Sequence, residues 1–184
     1  MCTGWGDHFS MFDDETKVKL GLPLYKNKNN DNNNNIQPPS STDDDIPWEK
    51  YDDAAEMSVN DRLPFLARAP TSMNAHTNDL QPHRRWRLYR RAIPIHLALQ
   101  NDRSLAILGQ IHTVQTPLVA DIQSFWSILY LLGELDLPDE ETMAREIAEW
   151  NAWTRKRYLS QGEKFPYSLY DFLPVGGISF PFPF

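Results

Sequence analysis

The sequence predicts an α+β chain that is mostly helical and has a few short strands. Two stretches, one after residue 117 and one after residue 139, repeat apolar residues at helical spacing, whereas few residues read as strand. Both predicted helices have apolar faces that need a partner surface, and so few strands cannot build a complete sheet. The 184 residues are therefore expected to be a piece of a larger protein.

Composition narrows the classes of function. The chain has 18 basic and 25 acidic residues, and its net charge of −7 argues against a nucleic-acid or anionic-membrane partner. The only cysteine, Cys2, excludes an internal disulfide and a cysteine-based zinc site. Since no secretory leader and no apolar tract free of charges is visible, the sequence predicts a cytoplasmic protein without a membrane span.

The first half of the chain is predicted to hold a long insert and one short helix. Residues 26–45 combine an asparagine run, a proline pair and three aspartates. Such a segment buries too little apolar area to offset its ordering entropy, so we expect a disordered surface insert. A short helix is predicted around residues 52–60 and ends before Leu63 and Pro64.

The middle of the chain is predicted to form short strands and then a long helix. Residues 91–97 and 104–108 read as strands, and the second is an apolar run that Gly109 ends. Pro117 suits the first turn of the following helix, and Gly133 suits its end. The apolar face of this helix is predicted from apolar residues at helical spacing: Leu118, Ile122, Phe125, Trp126, Leu129 and Leu132.

A second long helix is predicted to start at Asp139 and to stop at Gly162. Its first turn is acidic and its later turns carry three successive basic residues, so both ends complement the helix dipole. The predicted buried stripe contains residues of helical spacing: Met143, Ile147, Trp150 and Thr154.

Five arginines within residues 84–91 alternate with Trp86 and Tyr89. Basic residues interleaved with aromatic ones can bind single-stranded nucleic acid. The alternative is that these arginines pair with carboxylates or with an anionic ligand inside a larger protein. The net negative charge favours the second interpretation.

The sequence predicts no catalytic residue and no metal ligand. The five histidines lack metal-ligand spacing, and the acidic residues at 139–141 are explained by a helix start.

Residues 105–132 contain, in this order, an apolar run, Gly109, a polar stretch and a helix start. Free backbone N–H groups there suit an electron-rich ligand edge such as a flavin carbonyl, although an ordinary loop before a helix has the same pattern.

Several motifs, taken together in their order, resemble flavin-dependent monooxygenases of the fungal type. The first is a Thr-Gly-aromatic stretch within Cys2-Thr3-Gly4-Trp5. The others are three segments further along, at 103–110, 121–126 and 137–146. The resemblance extends over most of the chain outside residues 26–45, 71–81 and the last ten.

The resemblance implies the C-terminal portion of an FAD/NAD(P)-binding α/β fold. By similarity, Thr3 and Gly4 lie near FAD, whereas Gly109, Gln110 and Thr116 face its ring system. The family chemistry implies hydride transfer from NADPH to FAD, reaction with O2, and oxygenation of a small organic substrate at nitrogen, sulfur or a ketone. It also suggests tailoring of a fungal secondary metabolite.

The departures from the family concern the nucleotide-binding loops. The glycine-rich loops for FAD and NADPH are missing from this chain, which by the resemblance begins at the family's final third. We therefore divide the chain into a segment returning to the FAD domain (1–25), the insert (26–45), the C-terminal part of the FAD domain (46–174) and an aberrant tail (175–184). The isolated chain is expected to lack oxygenase activity. The alternative function is a non-enzymatic helical interaction module, and the oligomeric state stays open.

Overall fold

The structure is a computed structural model that describes residues 9–23, 46–67, 86–111 and 116–157. Within these ranges the elements are, in chain order, α1 (Asp14–Lys19), α2 (Trp48–Arg62), a short 3₁₀ helix (Pro64–Ala67), β1 (Leu88–Tyr89), β2 (Ile93–Pro94), α3 (Ile95–Leu99), α4 (Thr116–Leu132) and α5 (Glu140–Arg157). The described part is mostly helical, as predicted. The insert at 26–45, the tail at 175–184 and the helix stop at Gly162 lie outside the described residues.

Both long helices begin where the sequence predicts. α4 carries Pro117 in its first turn and is followed by Gly133, whose φ of +83° is the left-handed conformation that favours glycine. Asp139 caps α5, because its Oδ1 accepts the backbone N–H of Thr142 at 2.8 Å. This hydrogen bond holds the pKa of the Asp139 carboxyl below its ordinary value of 3.8.

The strand predicted at 91–97 is found only at Ile93–Pro94, and the strand predicted at 104–108 is wrong. β1 and β2 form a two-residue antiparallel hairpin in which Leu88 faces Pro94 and Tyr89 faces Ile93. The chain then turns directly into α3. Residues 104–108 have no strand beside them, and the Ile107 N–H makes a single hydrogen bond to the Ala92 carbonyl at 2.7 Å. An apolar run becomes a strand only where a partner strand supplies a ladder.

The main core lies between the hairpin, α4 and α5. Its fully buried side chains include Ile93, Tyr130 and Met143, with Tyr89 and Ile147 beside them. Burial raises the pKa of both tyrosines above 10.0. Trp126 of α4 packs on Tyr89 with ring centroids 6.2 Å apart. The hairpin is therefore fixed between the two long helices.

α2 packs along α5 through small buried side chains. The contact is built from Ala55 and Val59 on α2 and from Ala148 and Ala152 on α5. Small residues let two helix backbones approach closely. The helix predicted at 52–60 is thereby confirmed, and it extends over Trp48–Arg62.

Only some of the residues predicted to form the buried stripe of α5 are buried. Met143 and Ile147 are buried, whereas Trp150 and Thr154 are half-buried. The α2 contact takes the alanine positions of α5 instead. Since alanine carries little hydrophobic signal, the sequence pattern pointed to the larger residues nearby.

Only part of the predicted apolar face of α4 lies at the core: Trp126 packs against it, and Ile122 and Leu129 are half-buried. The buried residues are Val119, Gln123, Ser127 and Tyr130. Phe125 and Leu132 of the predicted face are 62% and 70% exposed. The side-chain polar atoms of Gln123 and Ser127 are buried without a hydrogen-bond partner among the described residues. α4 is apolar around most of its circumference, so its periodicity does not tell which side meets the core.

Within the described residues, no helix combines the length and apolar character needed to cross a membrane.

Arg87 joins three separate segments of the chain. Its guanidinium donates two hydrogen bonds to the Asp52 carboxylate of α2, at 2.9 and 2.6 Å, and lies 4.1 Å from the ring centroid of Trp48. Its backbone N–H donates to the Gly21 carbonyl at 2.7 Å. Gly21 has a φ of +72°, and a Cβ there would lie 2.8 Å from the Cβ and the carbonyl oxygen of Arg87. Only glycine fits this contact.

The Arg87–Asp52 pair is expected to behave as a buried ion pair. Arg87→Met or Asp52→Leu alone should lower the free energy of unfolding by about 3–5 kcal/mol, because each leaves the other charge uncompensated. The double variant should lose much less than the sum. Chemical denaturation of the four proteins measures this coupling.

The exposed pair Lys19–Glu15, joined at 2.7 Å, is the control. Its coupling free energy should stay below about 1 kcal/mol. Additive losses at Arg87 and Asp52 would show that the buried pair does not act as a unit.

Candidate functional site

The segment at 109–111 follows the apolar run and precedes α4. Gly109 is exposed, has a φ of +80°, and an added Cβ would meet no atom within 4 Å. The Gln110 side chain lies close by, with its Nε2 3.5 Å from the Leu108 carbonyl oxygen. The open space at Gly109 lets a flat ligand approach the backbone closely.

Ile111 anchors this segment beside the beginning of α4. Its buried side chain packs in one cluster with Val119 of α4, and Trp150 and Trp153 of α5 cover that cluster. Thr116 is the first residue of α4 and is half-buried. The first backbone N–H groups of a helix have no intrahelical acceptor, so this end of α4 can donate hydrogen bonds to an anionic or electron-rich group. Gly109 and Gln110 thus directly precede Ile111, which packs beside the beginning of α4, where Thr116 lies.

The other predicted cofactor contacts, Thr3 and Gly4, lie outside the described residues, as do the polar residues at 112–115.

A cavity of about 330 Å³ is lined by the same two tryptophans. Its walls are mainly apolar and come from α2, the hairpin and α5. Three indole rings line it: Trp86, Trp150 and Trp153. The rings of Trp150 and Trp153 are 5.6 Å apart and tilted by 60°. This volume is within the range of small-molecule sites, about 300–1,000 Å³.

Two arginines in the hairpin turn also line the cavity. Arg90 and Arg91 have φ values of +52° and +57°, and the Ala92 N–H closes the turn by donating to the Tyr89 carbonyl at 3.1 Å. Two-residue turns of this type favour Asn and Gly, because left-handed backbone costs other residues about 1–2 kcal/mol each. Arg90 offsets part of this cost through an ion pair with Glu146 at 2.9 Å.

Asn151 and Trp150 contact Arg91 at the cavity wall. Its side chain is 6% exposed, its Nη2 donates to Asn151 Oδ1 at 3.0 Å, and its guanidinium lies 5.7 Å from the Trp150 ring centroid. Asn151 Nδ2 in turn donates to the Trp86 carbonyl at 2.8 Å. This second bond turns the amide oxygen of Asn151 towards Arg91, so the guanidinium is oriented before any ligand arrives.

The predicted pairing of these arginines with carboxylates is confirmed for Arg87 and Arg90. Arg87 pairs with Asp52 and Arg90 with Glu146. Residues 84 and 85 lie outside the described residues. Among the residues that the structure describes, no group of three or more His, Cys, Asp or Glu residues could hold a metal ion.

Sequence reasoning missed the cavity. The one partial indication in the sequence was a run of arginines beside Trp86 and Tyr89 in a chain of net negative charge. The walls combine α2, the hairpin and α5, and that combination depends on tertiary contacts.

Comparison with known proteins identifies relatives over almost the whole chain. The proteins named FAD-dependent monooxygenase DEP4 from Alternaria brassicicola and Fusarium langsethiae are 36% and 35% identical to it over 174 and 177 residues. FAD-dependent monooxygenase resA from Aspergillus sclerotiorum is 33% identical over 172 residues. Each match covers 94% of this chain.

The chain is a homologue of FAD-dependent monooxygenases. The family resemblance seen in the sequence motifs is thereby confirmed. The chain spans 27% of the length of these curated monooxygenases. No family model matches it, and no solved structure gives a significant match.

Proposed function

We propose that the chain forms the flavin-facing part of an FAD-dependent monooxygenase that uses NADPH and O2 to oxygenate a small organic molecule. The observation that carries this proposal is the similarity over 94% of the chain to relatives named FAD-dependent monooxygenases. NADPH as the reductant and a secondary metabolite as the substrate follow from the chemistry of the family that the motifs resemble.

Gly109, Gln110 and Thr116 suit the edge of a flavin. Gly109 leaves room for the ring system, since an added Cβ there would have no neighbour within 4 Å. Gln110 offers an amide that can both donate and accept hydrogen bonds, and Thr116 places a hydroxyl at the start of α4. We assign these three residues, together with Thr3 and Gly4, as FAD contacts. Bound FAD would supply hydride acceptance and the reaction with O2.

The protein's own contribution would be to orient the flavin and to exclude water. Ile111 fixes the segment against Val119, so Gly109 and Gln110 have a rigid support. Trp150 and Trp153 cover this support with large apolar surfaces. Backbone N–H groups at the start of α4 would donate to the electron-rich edge of the flavin.

The remaining part of the enzyme would hold the FAD pyrophosphate and NADPH. The curated relatives are almost four times longer than the stretch that this chain matches. In our division of the chain, residues 1–25 and 46–174 belong to the FAD domain and the rest of that domain precedes them. This 184-residue chain would therefore show oxygenase activity only together with those parts.

A chimaera tests the proposed function. In it, this chain replaces the matching 27% of DEP4 from Alternaria brassicicola. The purified chimaera should show flavin absorbance at about 450 nm and NADPH-dependent O2 uptake. The isolated chain should show neither. In the chimaera, Gln110→Ala should weaken FAD binding about tenfold, the effect of one hydrogen bond, whereas the exposed Gln100→Ala should not change it.

Two results would contradict the proposal. A folded chimaera without flavin would favour the helical interaction module. An isolated chain that carries FAD and consumes O2 with NADPH would show that the other parts are not needed.

The outer face of α4 supports the need for further polypeptide. Phe125 and Ile128 are 62% and 53% exposed, and Leu118, Leu131 and Leu132 are exposed beside them. Large contiguous apolar surfaces on proteins mark contacts with other polypeptide. Since the curated relatives contain much more chain than this, we infer that this face packs against the remainder of the monooxygenase.

The same substitution in two contexts tests the α4 contact. In the isolated chain, Phe125→Asp should leave the free energy of unfolding within about 0.5 kcal/mol, because the side chain is exposed. In the chimaera the same substitution should lower the free energy of unfolding by about 3 kcal/mol, because it buries an unpaired charge. Met57→Asp on α2, where Met57 is 64% exposed, is the matched control and should be neutral in both. Equal effects of Phe125→Asp in both proteins would refute the contact.

A further inference from the structure

The two glutamates that line the cavity are both paired with other groups of the protein. Glu149 accepts a hydrogen bond from Ser58 Oγ at 2.9 Å and lies 3.4 Å from the guanidinium of Arg62. Glu146 lies 2.9 Å from the guanidinium of Arg90. Two of the three arginines in the lining are thus bound to carboxylates of the same lining.

Arg91, the third arginine of the lining, is also engaged by the protein. Its Nη2 donates to Asn151 Oδ1 at 3.0 Å, and its guanidinium lies 5.7 Å from the Trp150 ring centroid. Arg90 and Arg91 both have left-handed backbone conformations, and such strain persists where the surroundings enforce it. The fold therefore holds both guanidinium groups of the turn on protein partners.

We propose that this cavity binds a neutral, flat aromatic ring compound. An ionised group on the ligand would lose its hydration on entry and would have to displace one of the interactions that hold the lining, which costs free energy. Arg62 is exposed over 71% of its side chain, so a salt bridge from a ligand to it would add little. A ligand without charge avoids both losses.

The walls favour a flat ring system. Trp86, Trp150 and Trp153 provide three aromatic surfaces, with aliphatic side chains from Val59 and Leu88 beside them. Aromatic rings pack on such surfaces in offset or tilted arrangements and gain more than their buried area alone provides. The volume of about 330 Å³ is near the lower end for small-molecule sites and suits a fused bicyclic ring with a short substituent.

The cavity shares part of its wall with the support of the segment assigned to the flavin. Trp150 and Trp153 line the cavity and also pack against the cluster of Ile111 and Val119. Gly109 and Gln110 directly precede Ile111 in the chain. The ring compound is therefore a candidate substrate of the monooxygenase, an assignment that rests on the proposed function, whereas the binding site itself does not.

Three probes test the binding site in the 184-residue chain without FAD, with affinities measured by isothermal titration calorimetry. They are 2-naphthylmethanol, which is neutral and flat, 2-naphthoate, which is anionic and flat, and decahydro-2-naphthylmethanol, which is neutral and saturated. The chain should bind 2-naphthylmethanol about tenfold more tightly than 2-naphthoate, because the carboxylate is desolvated without a compensating partner. It should bind the saturated alcohol about fivefold more weakly than its aromatic counterpart.

A matched pair of variants tests whether the probes bind in this cavity. Leu63 lines the cavity, so Leu63→Trp should abolish binding of 2-naphthylmethanol. Leu99 is 41% exposed on α3 and is not part of the lining, so Leu99→Trp should leave the affinity unchanged. Thermal unfolding shows whether each variant is folded.

Several results would overturn the proposal. They are an absence of 2-naphthylmethanol binding, an equal or higher affinity for 2-naphthoate or for the saturated alcohol, and unchanged binding in folded Leu63→Trp. The comparison of probes uses the unaltered chain, so it decides the matter even if Leu63→Trp fails to fold. Because FAD takes no part, this failure is distinct from a failure of the chimaera.

Discussion

The contact around Arg87 joins the N-terminal described segment, α2 and the hairpin. The guanidinium holds α2 through Asp52, and the backbone holds the N-terminal described segment through Gly21. Arg87 immediately precedes β1, so this contact fixes the base of the hairpin whose turn carries Arg90 and Arg91. α2 then packs on α5 through small residues, and the cavity forms where α2, the hairpin and α5 meet. A buried, bidentate ion pair supplies the orientation that a two-stranded hairpin lacks by itself.

Features with local causes were predictable from the sequence. α4 and α5 have caps and ends that depend on neighbouring residues, such as Asp139 and Gly133, and both helices are found as predicted. Features that depend on a distant partner were not predictable. The run at 104–108 is apolar but has no neighbouring strand, and α4 buries Gln123 and Ser127 while Phe125 stays exposed. An apolar helix gives no indication of which side meets the core, particularly when its sequence contains more apolar surface than the chain can cover.

The candidate site also has one part that local sequence patterns predicted and one part that they did not. Gly109, Gln110 and Thr116 were recognised because a glycine ends an apolar run shortly before a helix, which is a local pattern. The cavity was not recognised, because its defining bond joins Arg91 to Asn151, 60 positions apart. The arginines near the hairpin did indicate internal pairing with carboxylates, since the chain as a whole is acidic. Which arginine faces a cavity could be learned only from the fold.

The central claim is that the segment around Gly109 and Gln110 contacts the flavin of an FAD-dependent monooxygenase. The most direct measurement is the FAD affinity of the chimaera and of its Gln110→Ala variant, followed by the flavin absorbance at about 450 nm. The account predicts that the loss of one hydrogen bond in Gln110→Ala weakens FAD binding about tenfold. Equal FAD affinities of the chimaera and of a folded Gln110→Ala variant would contradict the account.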